Sequence, residues 1–196
     1  MDKPKKFLSD NVPKFFYEFD TEAPFENCSF CNDSLDRFDK YAVEKVFKQN
    51  KVLNKSEIVY EYAICWGCAT EMGADISDDS RKAITQLFSE HNDNLLMKLE
   101  YLHSTEKYNI ESWIERCSLT GKEIRLCDEF SVSGVIEGNK LVYEHSPMVV
   151  SDEFMKKLQG VLSKETKEAF DDLRDKMLDG TPSLEDLIFS PTPGLI

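Results

Sequence analysis

Two pairs of cysteines constrain this chain more than any other feature: Cys28 and Cys31 in FENCSFCNDSL, and Cys65 and Cys68 in YEYAICWGCATEM. Two residues between thiols let a tight turn aim both sulfurs at one point. Two such turns supply four sulfurs at about 2.3 Å from a tetrahedral ion. Soft thiolates select zinc or iron over magnesium or calcium, so the expected cofactor is Zn2+ with Cys28, Cys31, Cys65 and Cys68 as its metal ligands. Four sulfurs leave zinc no open position for water, and the expected role is structural, with no catalytic residue. Three other readings stand beside it. One is a rubredoxin-like or iron-sulfur site, and one is a set of unrelated buried thiols, since free cysteine is among the most buried residue types. The third is a thiol-redox protein, because CWGC follows a strand pattern and opens a helix pattern, where a helix N-terminus stabilises a thiolate. That fold needs no second CxxC, and the βαβ pattern expected around it is missing.

Around the cysteines the chain divides into an N-terminal arm (1–24), a zinc-binding part with a long helix (25–105), a hairpin and helical part (106–180) and a C-terminal tail (181–196). Pro4, Pro13 and Pro24 punctuate the arm, and Phe7, Phe15, Phe16, Tyr17 and Phe19 give it aromatic surface to dock with. The segment 38–52 reads as helix or strand, with β-branched and aromatic residues favouring strand. In SEIVYEYAIC the period is two, so a hairpin through QNKVLNKS joins these segments. A long helix starts at Ser77 or Asp78 and carries Ile84, Leu87, Phe88, Leu95, Leu96, Leu99 and Leu102, with a break at HNDN. A Gly-Asn turn in GVIEGNKLVY predicts a second hairpin. Ser151 caps a helix running to about Leu162, Ser163 or Thr166 opens another, and TPSLEDLIF starts a short terminal helix. No repeat at a solenoid period is visible, although both halves run from a cysteine-containing turn through hairpin material to helix.

From NCSFC through the hairpin DKYAVEKVF and SEIVYEYAI to CWGCATEM, residues 25–75 resemble the treble-clef zinc fingers: a knuckle, a β-hairpin and a helix whose first turn carries the second cysteine pair. The resemblance implies the same four ligands. It implies no single function, because such modules occur in nucleic-acid binders, ubiquitin-related modules, ribosomal proteins and nucleases. Nuclease-type histidines near the second pair are missing. The fold class expected is α+β: a treble-clef-like zinc module followed by a β-hairpin and several amphipathic helices.

Composition narrows the partners. The net charge of -13 repels nucleic acid and anionic lipid. Between Cys28 and Cys68, Arg37 and five lysines are balanced by Asp33, Asp36, Asp39, Glu44, Glu57 and Glu61. A nucleic-acid-binding finger would be basic, so a protein partner is the better expectation. Lys40, Lys45, Lys48, Lys51 and Lys55 read as a solubilising edge ahead of a phosphate-contacting patch. No apolar run approaches the roughly 18–20 residues that span a bilayer, and MDKPKKFLSD lacks the apolar core of a secretory signal, so a cytoplasmic protein is expected. For catalysis, a second metal site would draw on Cys117, Cys127 and His145, with Asp128 or Glu144 as a further ligand, but nothing in the spacing demands it. His91 and His103 read as capping or core residues, and LTGKE lacks the upstream glycine of a P-loop. Acidic pairs such as Asp78 and Asp79 look like helix starts. No nucleophile-base pair emerges, and the expectation is of a protein-interaction or adaptor module ahead of an enzyme.

Overall fold

The computed structural model describes residues 7–9, 11–53, 55–106, 109–143 and 147–177. The expected short terminal helix at TPSLEDLIF, and Glu144 and His145, lie outside them. The elements are β1 (Phe7–Leu8), β2 (Lys40–Asn50), β3 (Lys55–Cys65), α1 (Trp66–Ala74), α2 (Asp78–Glu90), α3 (Asp93–Thr105), α4 (Ile110–Trp113), β4 (Glu129–Glu137), β5 (Lys140–Tyr143), β6 (Met148–Ser151), α5 (Asp152–Val161) and α6 (Lys164–Met177). All the strand pairs are antiparallel, in the order β1-β5-β4-β2-β3, with β6 sharing the outer edge of β4. The fold is thus mixed, an antiparallel sheet with helices around it.

Strand β2 is ambiguous by pattern because it is central. Seven consecutive residues, Tyr41 to Phe47, are buried, as expected of a strand covered on both faces, and such a run loses the alternation that betrays a strand. β3 is an edge strand, exposed near its tip and buried at its end, so that Cys65 arrives inside the molecule. The arm covers one face of the sheet, as its aromatic content predicts. Phe16 is fully buried and lies against Gly134, where a Cβ would meet its ring at 2.7 Å. Only glycine permits that approach. Lys45 donates to the Tyr17 carbonyl and pairs with Glu61 at 2.7 Å, while the Phe19 amide donates to Glu61. Lys45 is 3% exposed, so removing Glu61 would strand a buried charge.

The helices start where the sequence places their caps. Ser77 accepts from the Ser80 amide and Ser151 from the Phe154 amide. Ser77, Ser163 and Thr166 join hydroxyls at 2.9–3.2 Å, tying the starts of α2 and α6 together. The long helix is broken at His91, giving α2 and α3. Two cores result: one between the sheet, the arm, α3 and α4, the other between α2, α5, α6 and the segment at Cys117 and Leu119.

The shared order of the two halves is a repeat in space. The turn at Cys28–Arg37 has a counterpart at Cys117–Leu126, each ending in a short 3-10 helix. Each is closed by an isolated bridge, Asn27 with Ser34 and Arg116 with Glu123. Their ladder bonds match: the Cys28 amide donates to the Asp33 carbonyl and the Cys117 amide to Lys122, both at 2.8 Å. β2 corresponds to β4, and the two pair about an approximate two-fold axis at Glu44 and Ser133. The Gln49 amide donates to the Asp128 carbonyl, and Gly138, the counterpart of Gln49, donates to Asp39, the counterpart of Asp128. The return strand of the first half is β3. In the second half it is divided between β5 and β6.

Candidate metal centre

The first turn is aimed by backbone bonds. The Asn32 amide donates back to the Cys28 carbonyl at 2.9 Å, with Asn32 at φ 59, a left-handed conformation asparagine tolerates. The Ser29 amide donates to the Ala63 carbonyl, and the Ala63 amide donates to the Ser29 hydroxyl. Ser29 thus fastens the turn to the end of β3, beside Cys65. Cys65 then caps α1, its sulfur accepting from the Cys68 amide at 3.4 Å, so the first helical turn brings Cys68 to the same point.

Sequence reasoning named all four residues, and the structure brings them together: one sulfur from each of Cys28, Cys31, Cys65 and Cys68 lies within 4.8 Å of the others. No disulfide joins them. The Cys31–Cys65 sulfur separation is 3.9 Å, against the edge of about 3.8 Å of a tetrahedron with 2.3 Å bonds. The donor set fits a soft divalent ion. Cys28 and Cys65 are buried, Cys68 is half-buried and Cys31 is exposed. The amides of Cys65 and Cys68 point at the sulfurs of Cys28 and Cys65, the outer-shell bonds that orient thiolates and offset their charge.

Without a cation the four thiols compete. Burial pushes the Cys28 thiol up, but amides of Cys65, Cys31 and Phe30 outweigh it and hold the thiol below its usual value. The Asp33 amide pulls Cys31 down, yet desolvation and the neighbouring Cys28 leave it raised. Cys68 is raised strongly, by burial first and then by its bonds to Cys65 and Cys31. A cation between the sulfurs would favour the thiolate forms of Cys31 and Cys68 that burial and their neighbours oppose. Beside the site, the Lys40 ammonium sits 4.2 Å from the centre of the Trp66 ring, half-exposed in the CWGC turn.

The second turn carries the same scaffold with other side chains. Where the first has Cys28, Cys31, Cys65 and Cys68, it has Cys117, Thr120, Ser151 and Phe154. The Ser118 amide donates to the Val149 carbonyl and the Val149 amide to the Ser118 hydroxyl, matching Ser29 and Ala63. The Thr120 amide donates to the Cys117 sulfur at 3.4 Å, and the Thr120 and Ser151 hydroxyls are 3.4 Å apart. Burial raises the Cys117 thiol, but the hydroxyls of Ser151 and Thr120 prevail and lower it. Cys127 is pushed up to about 11, chiefly by burial. Of the residues considered for a second metal site, Cys117 and Cys127 are buried here. Among the described residues only the first four cysteines form a group able to hold a metal ion. Sequence reasoning missed Thr120, Ser151 and Phe154 as counterparts of ligands, and Ser29 and Ser118 as braces; the tandem Cys-Ser at 28–29 and 117–118 was the available signal.

His91, read as a cap, does that: its ring bonds the Leu87 carbonyl and packs edge-on to Phe154. Asp78 and Asp79 occupy the first turn of α2. Among the described residues no helix is long and apolar enough to cross a membrane. No protein-family model, curated protein or solved structure matches the chain.

Proposed function

We propose that Cys28, Cys31, Cys65 and Cys68 hold one zinc ion in a closed, structural site of treble-clef-like form, in a cytoplasmic protein that acts as a protein-interaction or adaptor module. The observation that carries the reading is the convergence of four sulfurs from two separate turns within 4.8 Å. Zinc is preferred because four sulfurs at tetrahedral spacing suit it. The order turn, β2-β3 hairpin, α1 supports the treble-clef comparison. An interaction role follows from the closed site: zinc with four sulfurs offers substrate no coordination position, so the ion's work is to hold the turn and the start of α1 in register. In this reading residues 25–105 form the zinc-bearing part and 106–180 the hairpin and helical part.

Elemental analysis of the purified protein tests it, with one zinc per chain expected. Cys31→Ser or Cys68→Ser should give poorly soluble protein with sub-stoichiometric zinc, because apparent zinc affinities of about 10–16 kcal/mol are folding free energy in such modules. Wild-type metal content and melting in either variant would overturn the structural site. The thiol-redox reading predicts insulin reduction by the isolated protein; the zinc reading predicts thiols that resist alkylation until chelator is added. More than one zinc per chain would favour an enzyme with a second site.

A further inference from the structure

A cavity of about 290 Å³ opens between α3, α4 and the second cysteine turn, at the small end of the ~300–1,000 Å³ range of ligand pockets. Its apolar wall is Met97, Tyr101, Leu102 and Trp113; Asn94, Asn109 and Ser112 add polar groups, and Cys117 and Gly121 lie at the base. The charged lining residues are Lys98 and Arg116, both cations, in a chain with 37 acidic against 24 basic residues. The two differ in how they are compensated. Arg116 is paired with Glu123 at 2.6 Å. Lys98 donates to the Trp113 and Arg116 carbonyls at 2.9 and 2.6 Å and lies 5.5 Å from the Trp113 ring centre. Those partners are neutral, and among the described residues no carboxylate lies within ion-pair distance of its ammonium. Two of its three N–H groups are used. Burial accordingly pulls the Lys98 amine down to about 8, with Arg116 adding and Cys117 and Glu115 opposing. A half-buried cation held by two carbonyl dipoles and a ring face beside an open apolar cavity can take a carboxylate as its close counter-ion.

We propose that this cavity binds a small carboxylate with an apolar body, an arylalkyl or alkyl acid, whose carboxylate accepts from Lys98 and whose body lies between Trp113, Tyr101 and Met97. The small concave volume favours a free acid over a folded partner. The site is separate from the four sulfurs and does not depend on the zinc reading.

The chain has two tryptophans, so Trp66→Phe leaves Trp113 as the reporter in the cavity wall. Titrating the metal-loaded full chain with 3-phenylpropionate should change Trp113 fluorescence saturably, and 3-phenylpropionamide, neutral and of the same shape, should bind about tenfold or more weaker. Lys98→Met should reduce binding of the acid to the level of the amide. Because Lys98 also holds two carbonyls, exposed Met97→Glu provides a second variant: a carboxylate at the mouth should weaken the acid at least as much while leaving the fold intact. Equal binding of acid and amide, no saturable change at any soluble concentration, or unaltered binding in Met97→Glu would overturn the proposal. So would binding of an acetylated Asp-Phe dipeptide amide without binding of the free acid, which would make the cavity a side-chain pocket for a protein.

Discussion

The two cysteine turns have the same backbone and opposite interiors. At the first, four sulfurs converge within 4.8 Å of one another. At the second, one buried thiol remains, hydroxyls of Thr120 and Ser151 bond around it, and Phe154, fully buried, occupies the position where Cys68 stands in the first. The second turn thus closes with hydrogen bonds and an aromatic ring against Phe88, Leu119 and Leu158. A scaffold of amide bonds, bridge and 3-10 turn specifies the turn's shape; whether thiols or hydroxyls and a ring fill it is a separate choice. The surroundings differ accordingly: α2 and α6 contribute Ile84, Leu87 and Phe170 to the cluster that seats Phe154, whereas Cys31 at the first turn is exposed.

The largest expected contrast is between equivalent cysteines. Cys28→Ser should abolish metal binding and cost most of the stability of its half, whereas Cys117→Ser should cost about 1–2 kcal/mol and leave the metal content unchanged. Denaturant midpoints and metal-to-chain ratios measured together check this, and equal costs would break the comparison. Next, Phe154→Ala should destabilise by about 3–5 kcal/mol and leave the metal-to-chain ratio unchanged. Combining Thr120→Cys, Ser151→Cys and Phe154→Cys with native Cys117 should raise the ratio by one zinc; an unchanged ratio would show that the matching backbones do not imply matching geometry at the sulfurs. A smaller contrast lies at the left-handed residue of each turn. Gly121 has φ +71, and a Cβ there would meet Asn94 Oδ1 at 3.1 Å, so Gly121→Ala should cost about 1–2 kcal/mol. Asn32→Gly, at φ 59, should change thermal stability by only a few tenths of a kcal/mol.

The smallest expected effect is at the axis between the halves, where buried Glu44 faces Ser133. Burial raises the Glu44 carboxyl, partly offset by hydroxyls of Tyr62 and Ser131. A raised folded value means that the stability it contributes is full below the unfolded value of about 4.3 and is lost as pH rises through the folded one. Glu44→Gln keeps the shape and removes the titration. The stability of wild type relative to the variant should therefore fall as pH rises from about 4, measured by denaturation across that range.

Much of the first half was legible because its signals are local. The CxxC spacing, the alternation in β3, the caps Ser77 and Ser151 and the Gly-Asn turn each state their geometry within a few residues. The second turn was not legible as a counterpart because it keeps one of four ligand-position cysteines, and its return strand is split into β5 and β6. β1 is two residues long and exists only through its pairing with Val142 and Tyr143, a contact no local pattern announces. α4 and the cavity it lines depend on where α3 lands after the break at His91. Lys98 reads in sequence as one more solvated helix lysine; only the placement of Trp113 and Arg116 makes it a half-buried cation.

Because β2 and β4 lie side by side at the centre of one sheet, neither half completes its hydrogen-bond ladder alone. The longest strand of each half finds its neighbour in the other, so order gained at the four-cysteine turn is handed on through that shared ladder to the lobe that carries no such cluster.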